Sequence, residues 1–369
     1  MRGLSQDLFR ASIAEADEFP GFDESRWLEL ADRASQEGVA GLLYQRCVSL
    51  GVRLPEEQHL AMGAFYRRTA SENFLALREL EEILADMEGA GVDVLLMPGA
   101  CLLPMYPDVG CRPMDDIDLL VPGPSAETAR RVLLSRGYKR PPRHSDLFGG
   151  ERAVVDLHTD LMNIERIRAR KKSGWLDPQE VWRDRRLAAV DGVSVQAMGL
   201  EDALLYTAVH GMKHSFNRLN WLLDLYFLLG AELDWNLVEQ KAVRYRLSRP
   251  LTYGLSCLAQ LHGGKLPDRT AEHLRPQQLG RVEEWLLRRM CSGRPYSDWG
   301  EVMRVFNCGG VIGGAAFLLE YLFPRPAVLL QVFPFLPKAL FPLAYGLRLG
   351  QMCLRGGAQL VGGLRRQLR

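Results

Sequence analysis

The stretch Arg112-Pro-Met-Asp-Asp-Ile-Asp-Leu-Leu-Val121 constrains this chain more than any other part of it. The run from Ile117 to Val121 is brief, apolar apart from Asp118, and stopped by Pro122-Gly123-Pro124, which is the pattern of a buried β-strand. Side chains alternate faces along a strand, so residues two apart point the same way. Asp116 and Asp118 are therefore expected to project together from one strand end. Two carboxylates that close repel unless a cation lies between them. Hard oxygen ligands of this kind suit magnesium. Taken alone, an Asp-x-Asp pair is equally the acidic, solvated start of an ordinary strand.

The flanking segments favour the first reading. Upstream, Val92 to Met97 reads as another strand, and Pro98-Gly99 turns the chain into a short apolar helix that begins near Ala100. A glycine turn into a helix N-terminus offers free backbone N–H groups and a positive dipole end, which suit phosphate. Downstream, Arg152 to Leu161 reads as a third strand. Its Asp156, His158 and Asp160 share one face, while Val155, Leu157 and Leu161 pack inward. A helix over Ser125 to Arg136, with Ser125 as its N-cap and Gly137 just past its end, joins the last two strands.

These residues resemble the nucleotidyltransferase superfamily that includes DNA polymerase beta and the aminoglycoside nucleotidyltransferases. The nearest likeness is to its bacterial branch of uncharacterised nucleotidyltransferases. That branch carries a Lys-Gly turn, then Arg-Pro-Met-x-Asp-Ile-Asp-Leu-Leu-Val, then Val-Asp-Leu-His. Here the turn is Met97-Pro98-Gly99-Ala100, the acidic strand is Arg112 to Val121, and the last strand is Val155-Asp156-Leu157-His158. The segment from His210 to Asp224 also resembles the branch's His-x-x-Lys-His and Trp-Leu-x-Asp region.

The resemblance implies an α+β fold: a small mixed β-sheet nucleotidyltransferase core between helical regions. It implies a metal-dependent enzyme that moves a nucleoside monophosphate from an NTP to a hydroxyl or phosphate acceptor on a small molecule, peptide or protein. Asp116, Asp118 and Asp156 would then be the catalytic and Mg2+-binding carboxylates. Gly99 and Ala100 would let phosphates approach the backbone, Arg112 would add a bidentate phosphate contact, and His158 would orient Asp156 or meet the substrate. The turn departs from the pattern. Pro98 replaces the branch's Lys and has no N–H to donate, and Gly99 is followed by Ala100 where related enzymes have Ser or Gly. Lys139 with Arg140, or Arg152, are candidates for the missing charge. The departure keeps open an inactive nucleotide-binding or scaffold protein that retains the fold.

The remainder of the chain adds bounds. Its 369 residues are 47% hydrophobic, enough for two or more domains. The expected divisions are a helical region over 1–88, the catalytic core over 89–198, a helical domain over 199–308 and an apolar, basic tail over 309–369. Helical spacing runs through Glu24 to Ser35, Glu57 to Leu84 and Gly199 to His214, and Asp191-Gly192 marks a hairpin. The N-terminal helices either pack against the sheet or shape the acceptor site, and plain packing is the simpler reading. His210 and His214 share a helix face. A pair with this spacing can bind zinc, yet no third ligand presents itself, so a packed or substrate-facing pair is the expectation. Trp221, Leu222, Leu225 and Leu229 read as core.

The net charge of +1 argues against a nucleic-acid polymerase or a general nucleic-acid binder. The charge is uneven: after Glu320 there are seven Lys or Arg and no acid. That tail reads as a peripheral membrane contact, a partner-binding tail or a helical subdomain, because prolines and charges break every apolar run long enough to span a bilayer. Seven scattered cysteines suggest reduced thiols and a cytoplasmic protein.

Overall fold

The computed structural model describes every residue except 1, 142–145, 163, 165–166, 275–276, 292–298, 333–335, 338–339, 352–353 and 355–369. Its centre is a six-stranded mixed sheet of β1 (Leu95–Leu96), β2 (Ile117–Leu120), β3 (Leu147–Gly149), β4 (Val154–His158), β5 (Arg186–Val190) and β6 (Val193–Ala197), in the order β3-β4-β2-β1-β6-β5. β2 runs parallel to β4 and β1 parallel to β6, whereas β1–β2, β3–β4 and β5–β6 are antiparallel. Alternation buries Ile117, Leu119, Val155 and Leu157 on one face. The parallel register sets Asp118 beside Asp156 and Leu120 beside His158 on the other.

β1 is shorter than the Val92 to Met97 strand expected from sequence. The Val92 N–H still bonds to Met87 O, closing the preceding helix, and Gly99 leaves the sheet at φ 140°. The Asp191-Gly192 hairpin forms as expected, with both residues at positive φ, the backbone that a two-residue turn requires.

Four helices precede the sheet: α1 (Arg2–Ile13), α2 (Glu24–Gln36), α3 (Ala40–Ser49) and α4 (Glu56–Gly89). They pack rather than contact the site. The Asn73 side chain of α4 donates to Val109 O (2.6 Å) and Arg112 O (2.7 Å), which fixes the segment leading into β2. α5 (Ala126–Ser135) joins β2 to β3. A 3-10 turn over Gly123–Ser125 precedes it, and Ser125, expected to cap the helix, makes no side-chain cap bond.

After the sheet come α6 (Pro178–Arg183), α7 (Leu200–Lys213), α8 (Leu219–Leu229), α9 (Trp235–Arg244), α10 (Ser248–Leu261), α11 (Asp268–His273), α12 (Arg281–Met290), α13 (Trp299–Met303), α14 (Val311–Leu322) and α15 (Pro326–Val332). One continuous core joins the N-terminal helices, the sheet and the helices as far as Met303. α13 closes tightly on the end of α7. A Cβ on Gly300 would lie 1.7 Å from Met212 O, and the Gly300 N–H donates to Ser215 Oγ at 3.0 Å, so only glycine fits there. Cys257 of α10 and Cys291, just past α12, form a disulfide, which corrects the expectation of uniformly reduced thiols. No helix among the described residues is long and apolar enough to cross a membrane.

Candidate active site

The carboxylates of β2 and β4 open into a cleft of about 420 Å³ roofed by α7, α8 and the turn after α13. That size lies within the range of roughly 300–1,000 Å³ common for small-molecule sites. One ligand atom from each of Asp118, Asp156 and His158 lies within 4.8 Å of the others. His158 Nε2 is 2.7 Å from Asp118 Oδ1 and 3.4 Å from Asp156 Oδ2, so the imidazole orients Asp118 first, rather than Asp156 as the resemblance suggested. Asp116, one residue before β2, lines the same cleft but lies outside that tight set. Asp160 lies beyond the end of β4, and its carboxylate accepts N–H bonds from Met162 (3.1 Å) and Ile164, which binds it to the following turn.

The electrostatics are those of an acidic cluster that His158 compensates only in part. Burial, then Asp118 and Asp156, push the Asp116 carboxyl up to about 7. Burial also raises Asp156, although His158 partly offsets it. Burial opposes charge on His158, but the hydrogen bond to Asp118 and the charges of Asp118 and Asp156 outweigh it and raise the imidazole. Such a set fits a divalent cation: hard oxygens converge, one histidine steadies them, and their mutual repulsion is relieved only by positive charge.

Gly99 stands at the edge of this cluster, with Asp118 Oδ2 only 3.7 Å from where a Cβ would be. Its φ of 140° is a conformation that L residues rarely adopt. The next segment, Ala100–Met105, is a 3-10 helix with Ala100 buried; Pro98 and Gly99 line the cleft.

Of the cations read from the sequence, Arg112 lines the cleft but is engaged in an ion pair, and the others lie elsewhere. Arg112, read as a phosphate contact, is buried and gives Nε to Asp224 Oδ1 (2.7 Å) and Nη2 to Oδ2 (2.8 Å). The Tyr106 hydroxyl donates to the same carboxylate at 2.7 Å. Lys139 and Arg140 do not line the cleft, and Arg152 reaches Glu79 and Glu82 instead. Arg112, Lys213, Arg218 and Arg304 line it. Arg218 pairs with the rim residue Asp115 (3.2 Å) and Arg304 with Glu301 (3.5 Å). Lys213 has no ion-pair partner among the described residues, and burial followed by the charge of Arg170 lowers its ammonium. Lys213 was legible as part of the site: Tyr206, His210 and Lys213 follow one another at helical spacing on α7. Nothing local in the sequence marks Arg304.

His210, His214 and Trp221 form the aromatic wall. The His214 and Trp221 rings stack at 5.1 Å with an interplanar angle of 1°, and His210 lies 4.6 Å from Trp221. Trp221, read as core, instead faces the cleft, while Leu222, Leu225 and Leu229 are buried as expected. Burial drives His210 well below its ordinary range and His214 to about 4, so both rings are neutral near pH 7. The turn between α7 and α8 holds Ser215 at φ 59° and Phe216 at φ 43°, two consecutive non-glycine residues in the left-handed region. This strained corner aims α8's first turn back at the carboxylates.

The sequence pattern of a family described as uncharacterised nucleotidyltransferase matches residues 23–263, well over half of the chain. No curated protein sequence matches it. A solved structure, an antigenic nucleotidyltransferase-like protein from Paracoccidioides brasiliensis, is similar at 14% identity over 55% of this chain and 97% of the other, with a TM-score of 0.34. That likeness is too slight to bear on function. The matched span contains β1 to β6 and the α7–α8 wall, and with it Asp116, Asp118, Asp156 and His158: this chain belongs to the uncharacterised nucleotidyltransferase family.

Proposed function

We propose that the chain is a magnesium-dependent nucleotidyltransferase that takes a nucleoside monophosphate from an NTP and delivers it to a hydroxyl or phosphate acceptor. The observation that carries this reading is the meeting of the Asp118 and Asp156 carboxylates and His158 at one end of a cleft whose other wall presents Lys213. When bound, the divalent ion would neutralise the triphosphate and stabilise charge at the α-phosphorus during in-line displacement, with pyrophosphate leaving. Asp116, Asp118 and Asp156 would hold the ion. His158 fixes Asp118 in place. Asp156, whose carboxyl burial raises above the ordinary carboxylate range, is placed to take a proton from the acceptor oxygen. Lys213 supplies a cation for phosphate oxygens that the Pro98-Gly99-Ala100 turn does not. The neutral His210, His214 and Trp221 rings offer a stacking face for a base or an aromatic acceptor.

A second reading rests on one observation. Pro98 lines the cleft where a donor is expected and has no N–H. A protein that binds nucleotide without transferring it would follow from that loss. Calorimetric titration of the four ribonucleoside triphosphates, with and without magnesium, on the wild type and Asp118→Ala separates the two. Magnesium-dependent binding that disappears in the variant, accompanied by pyrophosphate release, supports the transferase. Binding without pyrophosphate release favours the non-catalytic reading, and absence of any triphosphate binding removes both.

A further inference from the structure

Part of the cleft wall comes from outside the span that the family pattern matches. That span ends at residue 263, whereas α13 and the 3-10 turn Arg304–Asn307 that follows it lie beyond. α13 is seated on the C-terminal end of α7, where Gly300 packs on Met212 O, the residue before Lys213, with no room for a side chain. Arg304 follows Gly300 by four residues, about one helical turn, and so falls on the same side. There it lines the cleft, although only 2% of it is exposed.

Arg304 is poorly bonded for a buried guanidinium. An arginine carries five N–H donors. Among the described residues they find two long contacts, Nη1 to Ser173 Oγ at 3.5 Å and Nε to Glu301 Oε2 at 3.5 Å. The second is an ion pair without a hydrogen bond, so Arg304 Nε and Glu301 Oε2 both go without one. The other Glu301 oxygen accepts from Arg170 Nη2 at 3.0 Å, so one carboxylate serves two guanidiniums. Lys213 adds a further cation to this side of the cleft, and its ammonium makes no ion pair or hydrogen bond with the described residues. Burying cations with so few bonds is costly unless an anion meets them.

Lys213 stands between the sheet carboxylates and Arg304. Burial does most to lower its ammonium, and the charges acting on it are those of Arg170, Glu301, Arg304 and Asp156. The charges acting on Arg304 are those of Glu301, Arg170 and Cys308, none of them on the sheet. A triphosphate with its α-phosphorus at the carboxylates would run its other phosphates past Lys213 towards Arg304. The arginine fork suits such a group, because it can meet two phosphate oxygens at once. We propose that Arg304, together with Lys213, forms a subsite for the two terminal phosphates of the nucleoside triphosphate, the part that leaves as pyrophosphate. Glu301, itself held by Arg170, is the positioning residue of this subsite. What fills the subsite rests on the nucleotidyltransferase reading; where it lies rests on the geometry.

Calorimetric titration of the full chain in magnesium tests it, on wild type, Arg304→Met and Arg304→Lys. The probes are the four ribonucleoside triphosphates, the matching monophosphates and inorganic pyrophosphate. Arg304→Met is expected to weaken triphosphate and pyrophosphate binding by about 10- to 100-fold and to leave monophosphate binding unchanged. Arg304→Lys, which keeps the charge and loses the fork, is expected to fall between. Methionine retains the apolar stem and Glu301 retains Arg170, so the melting temperature should hold. The ratio of triphosphate to monophosphate affinity within one variant separates the subsite from a general loosening of the fold. Equal weakening of both nucleotides overturns the proposal. Triphosphate binding that Arg304→Met leaves intact overturns the subsite while the transferase reading stands. A wild type that binds neither triphosphate nor pyrophosphate overturns both.

Discussion

Arg112 and Asp224 meet in a two-pronged buried ion pair although 112 residues of chain separate them. One stands just before the acidic strand and the other on α8, so the pair bolts the helical wall of the cleft to the sheet. Breaking a buried pair leaves one charge without compensation, at a cost of about 3–5 kcal/mol. Asp224→Asn and Arg112→Met are each expected to lower the melting temperature strongly. Arg112→Lys recovers little, because lysine cannot reproduce the fork. Thermal melts by circular dichroism check this, and a double variant less destabilised than the sum of the singles identifies the pair itself as the cause.

Divalent-ion binding should tighten as pH rises through about 7, the position of the Asp116 carboxyl. A carboxyl must lose its proton before it can serve a cation, so binding releases a proton below that point. Affinity is expected to rise up to about tenfold per pH unit below 7 and to level off above it. Titration of manganese or magnesium in buffers of differing ionisation enthalpy reads the released proton directly. An affinity that is flat from about pH 6 to 8 would contradict the assignment of Asp116 to the site.

Asp116 should also lower stability in the absence of metal. Its folded-state pKa is raised, so its favourable contribution is complete below the ordinary carboxylate range and is lost as pH rises through about 7. Above that pH the folded protein carries a buried, repelled charge. Asp116→Asn is therefore expected to stabilise the chelator-treated protein by roughly 1–2 kcal/mol at pH 8, with the gain vanishing near pH 4. The same variant should weaken ion binding. Melting curves at the two pH values decide the point, and a variant less stable than wild type at pH 8 would refute it.

Lys213 gives a test that separates phosphate recognition from ion binding. Lys213→Met is expected to weaken triphosphate affinity by about 10- to 100-fold, the worth of one or two charge-assisted hydrogen bonds. Lys213→Arg should retain part of it. Neither should lower the melting temperature, because the wild-type ammonium is already disfavoured by burial and by Arg170, and Lys213→Met should not weaken divalent-ion binding, because it removes a positive charge that acts on Asp156. Equal triphosphate affinity in wild type and Lys213→Met would move the phosphates elsewhere in the cleft.

What the sequence by itself determined lies within single elements. Period-two alternation points Asp118, and separately Asp156 and His158, away from their buried neighbours. Asp191-Gly192 specifies its own hairpin, and helical spacing places Tyr206, His210 and Lys213 on one side of α7. Each is a local consequence of backbone geometry, readable without knowing what the element meets. Tertiary structure decided the rest. It spent Arg112 on Asp224 rather than on a phosphate, turned Trp221 from presumed core to cleft wall, and brought Lys213 to the site instead of Lys139, Arg140 or Arg152. It also paired Cys257 with Cys291. The physical reason is common to all four: periodicity tells which side of an element is apolar, but the partner of a charge, a ring or a thiol depends on which distant surface the packed core carries to within a few ångströms of it.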